Sequence, residues 1–129
     1  MGEWTVIGTV TLAAVPESVA EARSFAAALL AGDLRAETAE LLISEACTNS
    51  VVHSESRFGG KFTLRLCAAG DALRCEVVDD GSQTVPVRRD GEDDEPRENG
   101  YGVMLIETLA DRSGHFLDDG RLCAWFELD

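Results

Sequence analysis

Within Leu41–His53, LLISEACTNSVVH, the residues Glu45, Asn49 and His53 recur at intervals of four. On a helix of 3.6 residues per turn that spacing stacks a carboxylate, an amide and an imidazole along one face. Ile43, Cys47 and Val51 repeat at the same interval on the other side, an apolar stripe suited to a core. A helix with a core side and a row of oxygen and nitrogen donors opposite it can form the wall of a site. The same pattern also fits an amphipathic helix whose polar face meets only water.

Two further stretches carry chemistry of a compatible kind. Val77-Val78-Asp79-Asp80-Gly81 ends an apolar run in an acid and then a glycine. A carboxylate at a strand end can accept a hydrogen bond from an exocyclic amine, and a glycine lets backbone approach a ligand closely. Asn99-Gly100-Tyr101-Gly102 precedes a second stretch of helical spacing, and glycines before a helix N-terminus expose amides that can hold phosphate. Taken singly, the first stretch also reads as a turn and the second as a loop.

The elements that must position these residues follow from hydropathy patterning. Trp4–Leu12 has the Thr/Val content of a strand. Pro16 and Glu17 open a helical segment that Gly32 stops, and Asp33 is placed to cap the long helix running through Glu45. Lys61–Ala69 and Ala72–Asp80 alternate with period two about Gly70-Asp71, a hairpin signal. Residues 82–99 hold two prolines, six acids and three arginines with no apolar period. A structureless stretch of that length inside a small domain marks a functional loop or disorder. Helical spacing returns over Gly102–Leu109, and His115–Asp118 with Leu122–Leu128 reads as a final hairpin about Asp119-Gly120. The order β, α, α, β, β, loop, α, β, β predicts one domain over residues 1–129. Its class is α+β, a two-layer sandwich with a mixed, mostly antiparallel sheet and helices on one face.

Composition excludes several classes. The 129 residues suffice for one core without staples. Asp and Glu outnumber Lys and Arg by 24 to 11, a formal charge of -13, which opposes direct binding to nucleic acid or to an anionic membrane surface. No apolar run reaches the ~20 residues of a membrane span, and the N-terminal residues carry no signal-like pattern, so a cytoplasmic location is expected. Cys47, Cys67, Cys75 and Cys123 are widely spaced inside apolar runs with no CxxC pair. They read as buried free thiols rather than a zinc or redox motif.

Taken together and in this order, the three stretches resemble the GHKL (Bergerat-fold) ATPases, and the resemblance covers nearly the whole chain. Glu45-Ala-Cys-Thr-Asn49-Ser-Val-Val-His53 looks like that family's N box. Asp79-Asp80-Gly81 looks like its first glycine box, and Gly100-Tyr101-Gly102-Val103-Met104-Leu105 like its second. The small size and the form of the N box are similar to the anti-sigma factor serine/threonine kinase branch, including its short stand-alone actinobacterial members. The resemblance implies ATP and Mg²⁺ as cofactors, with Asn49 on the metal, Glu45 as general base and His53 near the phosphates. It further implies that Asp79 takes the adenine amine, that Gly81 admits the base, and that Gly100, Tyr101, Gly102 and Val103 border the phosphates. Residues 82–99 would form the ATP lid. Implied partners are an anti-sigma factor antagonist and a sigma factor, with the kinase a homodimer. Gln83 stands where the first glycine box has its second glycine, Tyr101 where the branch has Arg, and Ser113 where it often has Trp. Gln83 and Tyr101 leave open an alternative, a catalytically inactive partner-binding module with a vestigial nucleotide pocket.

Overall fold

Period-two alternation decides the sheet, and the computed structural model, which describes residues 3–53, 59–79 and 98–129, shows how its faces are used. At His53, Glu98–Val103 and Asp118 the description is of the backbone. The order is β1 (Thr5–Ala13), α1 (Glu17–Leu29), α2 (Ala36–His53), β2 (Lys61–Ala69), β3 (Ala72–Asp79), α3 (Glu98–Leu109), β4 (Arg112–Asp118) and β5 (Arg121–Leu128). The five strands form one sheet in the order β1-β2-β3-β5-β4, and every neighbouring pair is antiparallel. The expected two-layer α+β sandwich is therefore present, with a wholly antiparallel sheet in place of a mixed one.

One face of the sheet carries Phe62, Leu64 and Leu66 of β2, Leu73, Cys75 and Val77 of β3, and Phe126 and Leu128 of β5, all buried. Register explains the layer: Leu66 lies opposite Cys75 and Cys75 opposite Phe126, so the same parity points inward on three consecutive strands. Against this face α2 lays Ala39, Leu42, Ile43, Ala46, Cys47 and Val51, and α1 adds Ala22 and Ala26. All four thiols are free and buried, as their apolar surroundings in the sequence predict.

The caps are local chemistry. Asp33 Oδ1 accepts the backbone N–H of Arg35 at 2.8 Å just ahead of α2, while the Arg35 guanidinium pairs with both Asp33 oxygens. Arg35 also donates to the carbonyls of Asp71 and Leu128, tying the start of α2 to the β2–β3 turn and the end of β5. The β4–β5 turn places Asp119 and Gly120 at φ 56° and 81°, the two successive left-handed residues of a type I′ hairpin.

Two boundaries differ from the sequence expectation. β4 starts at Arg112, not His115: Arg-Ser-Gly shows no alternation, but Arg112 pairs opposite Glu127 and hydrogen-bonds its carboxylate at 2.6 Å. α3 starts at Glu98, so Gly100 and Gly102 lie inside its first turns instead of ahead of them. Helix-interior glycine costs about 1 kcal/mol locally. Packing of Leu105, Ile106 and Ala110 on the core carries the helix regardless.

Candidate functional site

The site is built where α2 passes the C-terminal end of β3. Inward alternation along β3 runs Leu73, Cys75, Val77 and then Asp79, so the position that would hold a fourth core hydrophobe holds a carboxylate. Asp79 is only 2% exposed. A buried carboxylate is stable only with hydrogen-bond partners, and Ser50 Oγ donates to Asp79 Oδ2 at 2.6 Å. That contact joins α2 to the end of β3 through two buried side chains.

Ser50 was not among the residues singled out from the sequence, yet its position was legible there. The buried stripe of α2 runs 39, 42/43, 46/47, and one more turn lands on 50/51. A hydroxyl thus falls at a core position and needs a partner.

Glu45 and Asn49 lie on the flank of this stripe, both half-buried, one turn apart and facing the same way as their spacing predicts. Asn49 immediately precedes Ser50, so the amide sits next to the Ser50–Asp79 bond along the helix. His53 ends α2, and Gly100–Val103 form the opening turns of α3, which packs against α2. Gly81, Gln83 and the expected lid up to residue 97 lie outside the described residues, while Glu98 and Asn99, its last two residues, belong to α3.

The arrangement offers a buried hydrogen-bond acceptor at a strand end, with a carboxylate and an amide displayed one helix turn apart beside it. Among the described residues, no group of three or more His, Cys, Asp or Glu could hold a metal ion by itself. A Mg²⁺ ion that takes part of its coordination from phosphates and water needs only one or two protein oxygens, and the Asn49 amide is of that kind. The thiols take no part: burial pushes Cys47 up to about 12 and Cys123 to about 11, so neither ionises near neutral pH.

Comparison with known proteins agrees with this fold. The histidine kinase-like ATPase domain family matches residues 12–125. Serine-protein kinase RsbW from Listeria monocytogenes serotype 4a (strain HCC23) is 34% identical over 94 residues, covering 65% of this chain and 60% of that kinase. The RsbW kinases of two serotype 4b strains match to the same extent. The chain thus spans 60% of the length of these curated relatives. Among solved structures, the RsbU and RsbW domains of Rv1364c from Mycobacterium tuberculosis superpose with a TM-score of 0.68 at 18% identity. That match covers 94% of this chain and 32% of that one, a likeness of fold. With that family matched over residues 12–125, on a fold shared with an RsbW-domain structure, the chain belongs to the histidine kinase-like ATPase domain family.

Proposed function

We propose that this protein binds ATP at the junction of α2 and β3 and transfers its γ-phosphate to a serine or threonine of a partner protein. The observation that carries the reading is the buried Asp79 carboxylate, fixed by Ser50 of the very helix that displays Glu45 and Asn49. A carboxylate held at the end of a strand accepts the adenine amine and, through its fixed orientation, selects adenine over guanine, whose corresponding edge presents an oxygen acceptor. Asn49 is the Mg²⁺ ligand on this reading; the ion neutralises phosphate charge and so allows a chain of charge -13 to hold a polyanion. Glu45, one turn earlier, takes the proton of the attacking hydroxyl as its oxygen bonds to the γ-phosphorus and ADP leaves. His53, Gly81, Gly100, Tyr101, Gly102 and Val103 border the nucleotide, and residues 82–99 close over it.

The proposed substrate is an anti-sigma factor antagonist, with sequestration of a sigma factor as the second output, in a cytoplasmic homodimer. The similarity to the RsbW serine-protein kinases supports this assignment. Calorimetry with ATP and Mg²⁺, with and without chelator, tests the reading. Metal-dependent binding on the order of -8 kcal/mol is expected. Asn49→Ala should remove the metal dependence, and Glu45→Ala should keep binding but abolish phosphotransfer. Absence of binding at millimolar ATP overturns the reading in favour of a partner-binding module with a vestigial pocket, the role that Gln83 and Tyr101 would then explain.

A further inference from the structure

The described helices pack on one face of the sheet. The opposite face has a composition of its own. Both tryptophans of the chain, Trp4 and Trp125, lie there beside the Arg74 guanidinium. In the strand register Arg65, Arg74, Arg112, Arg121 and Phe116 share the parity of Trp125 and so point to the same side. Those arginines are four of the seven Lys and Arg among the described residues, in a chain that carries -13 overall. Aromatic residues and arginine are the side chains that protein–protein interfaces concentrate at their centres.

The charges of this face are matched within it but not at its surface. Glu76 accepts hydrogen bonds from Arg65 and Arg74, and Glu127 from Arg74 and Arg112. Both carboxylates are thereby engaged twice and covered, their side chains only 15% and 10% exposed. The Arg65 and Arg112 side chains, by contrast, are 40% and 49% exposed. Arg121 is exposed as well and bonds no acid among the described residues. Asp129 is accessible beside them, but it is held by Arg112.

Between Arg65 and Arg121 lies a cavity of about 260 Å³, lined by those two residues with Glu76, Val78, Phe116 and Cys123. Val78 lies opposite Cys123 and Cys123 opposite Phe116, so an apolar row crosses three strands with a guanidinium on either side. The volume falls below the ~300 Å³ at which pockets for drug-sized ligands begin, and suits one inserted side chain. Arg65 gives Glu76 one of its five N–H donors, which leaves donors from both arginines for a carboxylate at the rim.

We propose that this face docks an acidic segment of a partner protein, which seats one Phe or Leu side chain in the cavity and its flanking Asp or Glu carboxylates on Arg65 and Arg121. Charge decides against a second copy of the chain. Two such faces apposed would set exposed guanidiniums towards each other, with Glu76 and Glu127 already taken. Nucleic acid would meet the long-range repulsion of -13 with few arginines to offset it. The docking face is the reverse of the one on which α2 packs, so binding there needs no nucleotide and is independent of the ATP reading.

The test uses the full chain without nucleotide and a labelled synthetic peptide in which one Phe is flanked by Asp and Glu, followed by fluorescence anisotropy and by the emission of Trp4 and Trp125. Saturable binding with a shift in tryptophan emission is expected, weakening as salt is raised. Peptides with Lys in place of the acids, or with Ser in place of Phe, should bind weakly or not at all. Arg121→Glu, at an exposed position outside the ion-pair ladder, should weaken binding about tenfold, equivalent to 1.4 kcal/mol. Arg23→Glu, the same change of charge at an exposed position of α1, should leave it unaltered. Equal affinity for Arg121→Glu, an equal loss for Arg23→Glu, or no binding to the unaltered protein would overturn the proposal. So would tighter binding of a single-stranded oligonucleotide, or a concentration-dependent emission shift without peptide, which would assign the face to nucleic acid or to a second copy.

Discussion

At the scale of single residues, the Ser50–Asp79 hydrogen bond is the contact on which the site turns. Hydrogen bonds to charged groups contribute about 1.5–3 kcal/mol when buried. Ser50→Ala should therefore lower stability by about 2 kcal/mol in urea denaturation and weaken ATP, because the carboxylate loses a donor that orients it. Unchanged stability would mean that Asp79 is held by its other contacts. A second residue-scale prediction concerns Asp33, whose side-chain bond from Arg35, reinforced by the backbone N–H of that residue, lowers it from 3.8 to about 2. A depressed carboxylate stabilises the fold fully above its ordinary value and loses that contribution as pH falls from about 4 through 2. Asp33→Ala should cost about 1 kcal/mol near neutrality, the usual worth of a helix cap, and flatten the pH dependence of stability across that window. The helix that stacks Glu45 and Asn49 was legible because its spacing is a property of one helix. Ser50 was overlooked because its meaning depends on β3, a strand distant in sequence.

At the scale of elements, the face of the sheet turned away from the described helices carries a charge ladder. Arg65 bonds Glu76, Glu76 bonds Arg74, Arg74 bonds Glu127, and Glu127 bonds Arg112, which also pairs with Asp129. The ladder steps across β2, β3, β5 and β4. Burial would raise Glu76, but the hydrogen bonds from Arg74 and Arg65 outweigh it and hold the carboxyl below its ordinary range. The Arg74 guanidinium lies 4.3 Å from the centre of the Trp125 ring and 5.9 Å from that of Trp4. Gly114, opposite Trp125, leaves room for that ring: an added Cβ would stand 2.9 Å from Cζ2 and 3.1 Å from both Cε2 and Nε1. Gly114→Ala should push the indole off Arg74, shift tryptophan emission and cost about 1–3 kcal/mol. An unshifted spectrum would show that the ring is free to slide. Element existence and pairing parity were readable from alternation. The starts of β4 and α3 were not, since ion pairs across strands and packing on the core fixed them against local propensity.

At the scale of the molecule, the fold places all four cysteines, Cys47 on α2 and the others on the sheet, in buried positions where they act as small hydrophobes. Burial raises the thiols of Cys47, Cys75 and Cys123, and it is also the largest influence raising Cys67. An aromatic disulfide reagent should therefore leave the native protein unmodified and titrate four thiols after denaturation. Rapid reaction of any thiol under native conditions would show that the sheet opens locally. The two-layer α+β class was legible from the order of elements, but neither the wholly antiparallel pairing nor the strand order was. Hydropathy gives which face a strand buries, and carries no record of which neighbour it will meet.

That strand order has a consequence for how the chain is made. β5, Arg121–Leu128, is not an edge but lies between β3 and β4, with Leu73 opposite Leu128. As the polypeptide emerges from the ribosome, β3 has an open flank from the time it pairs with β2 until β5 arrives. Throughout that interval Leu73, Cys75 and Val77 lack the Phe126 and Leu128 that complete their layer. The nascent protein therefore waits, half a sheet with an unclosed seam, for Arg121–Leu128 to be synthesised. Vectorial synthesis thus makes β5 the gatekeeper of solubility, and any pause between β3 and β5 prolongs exposure to aggregation.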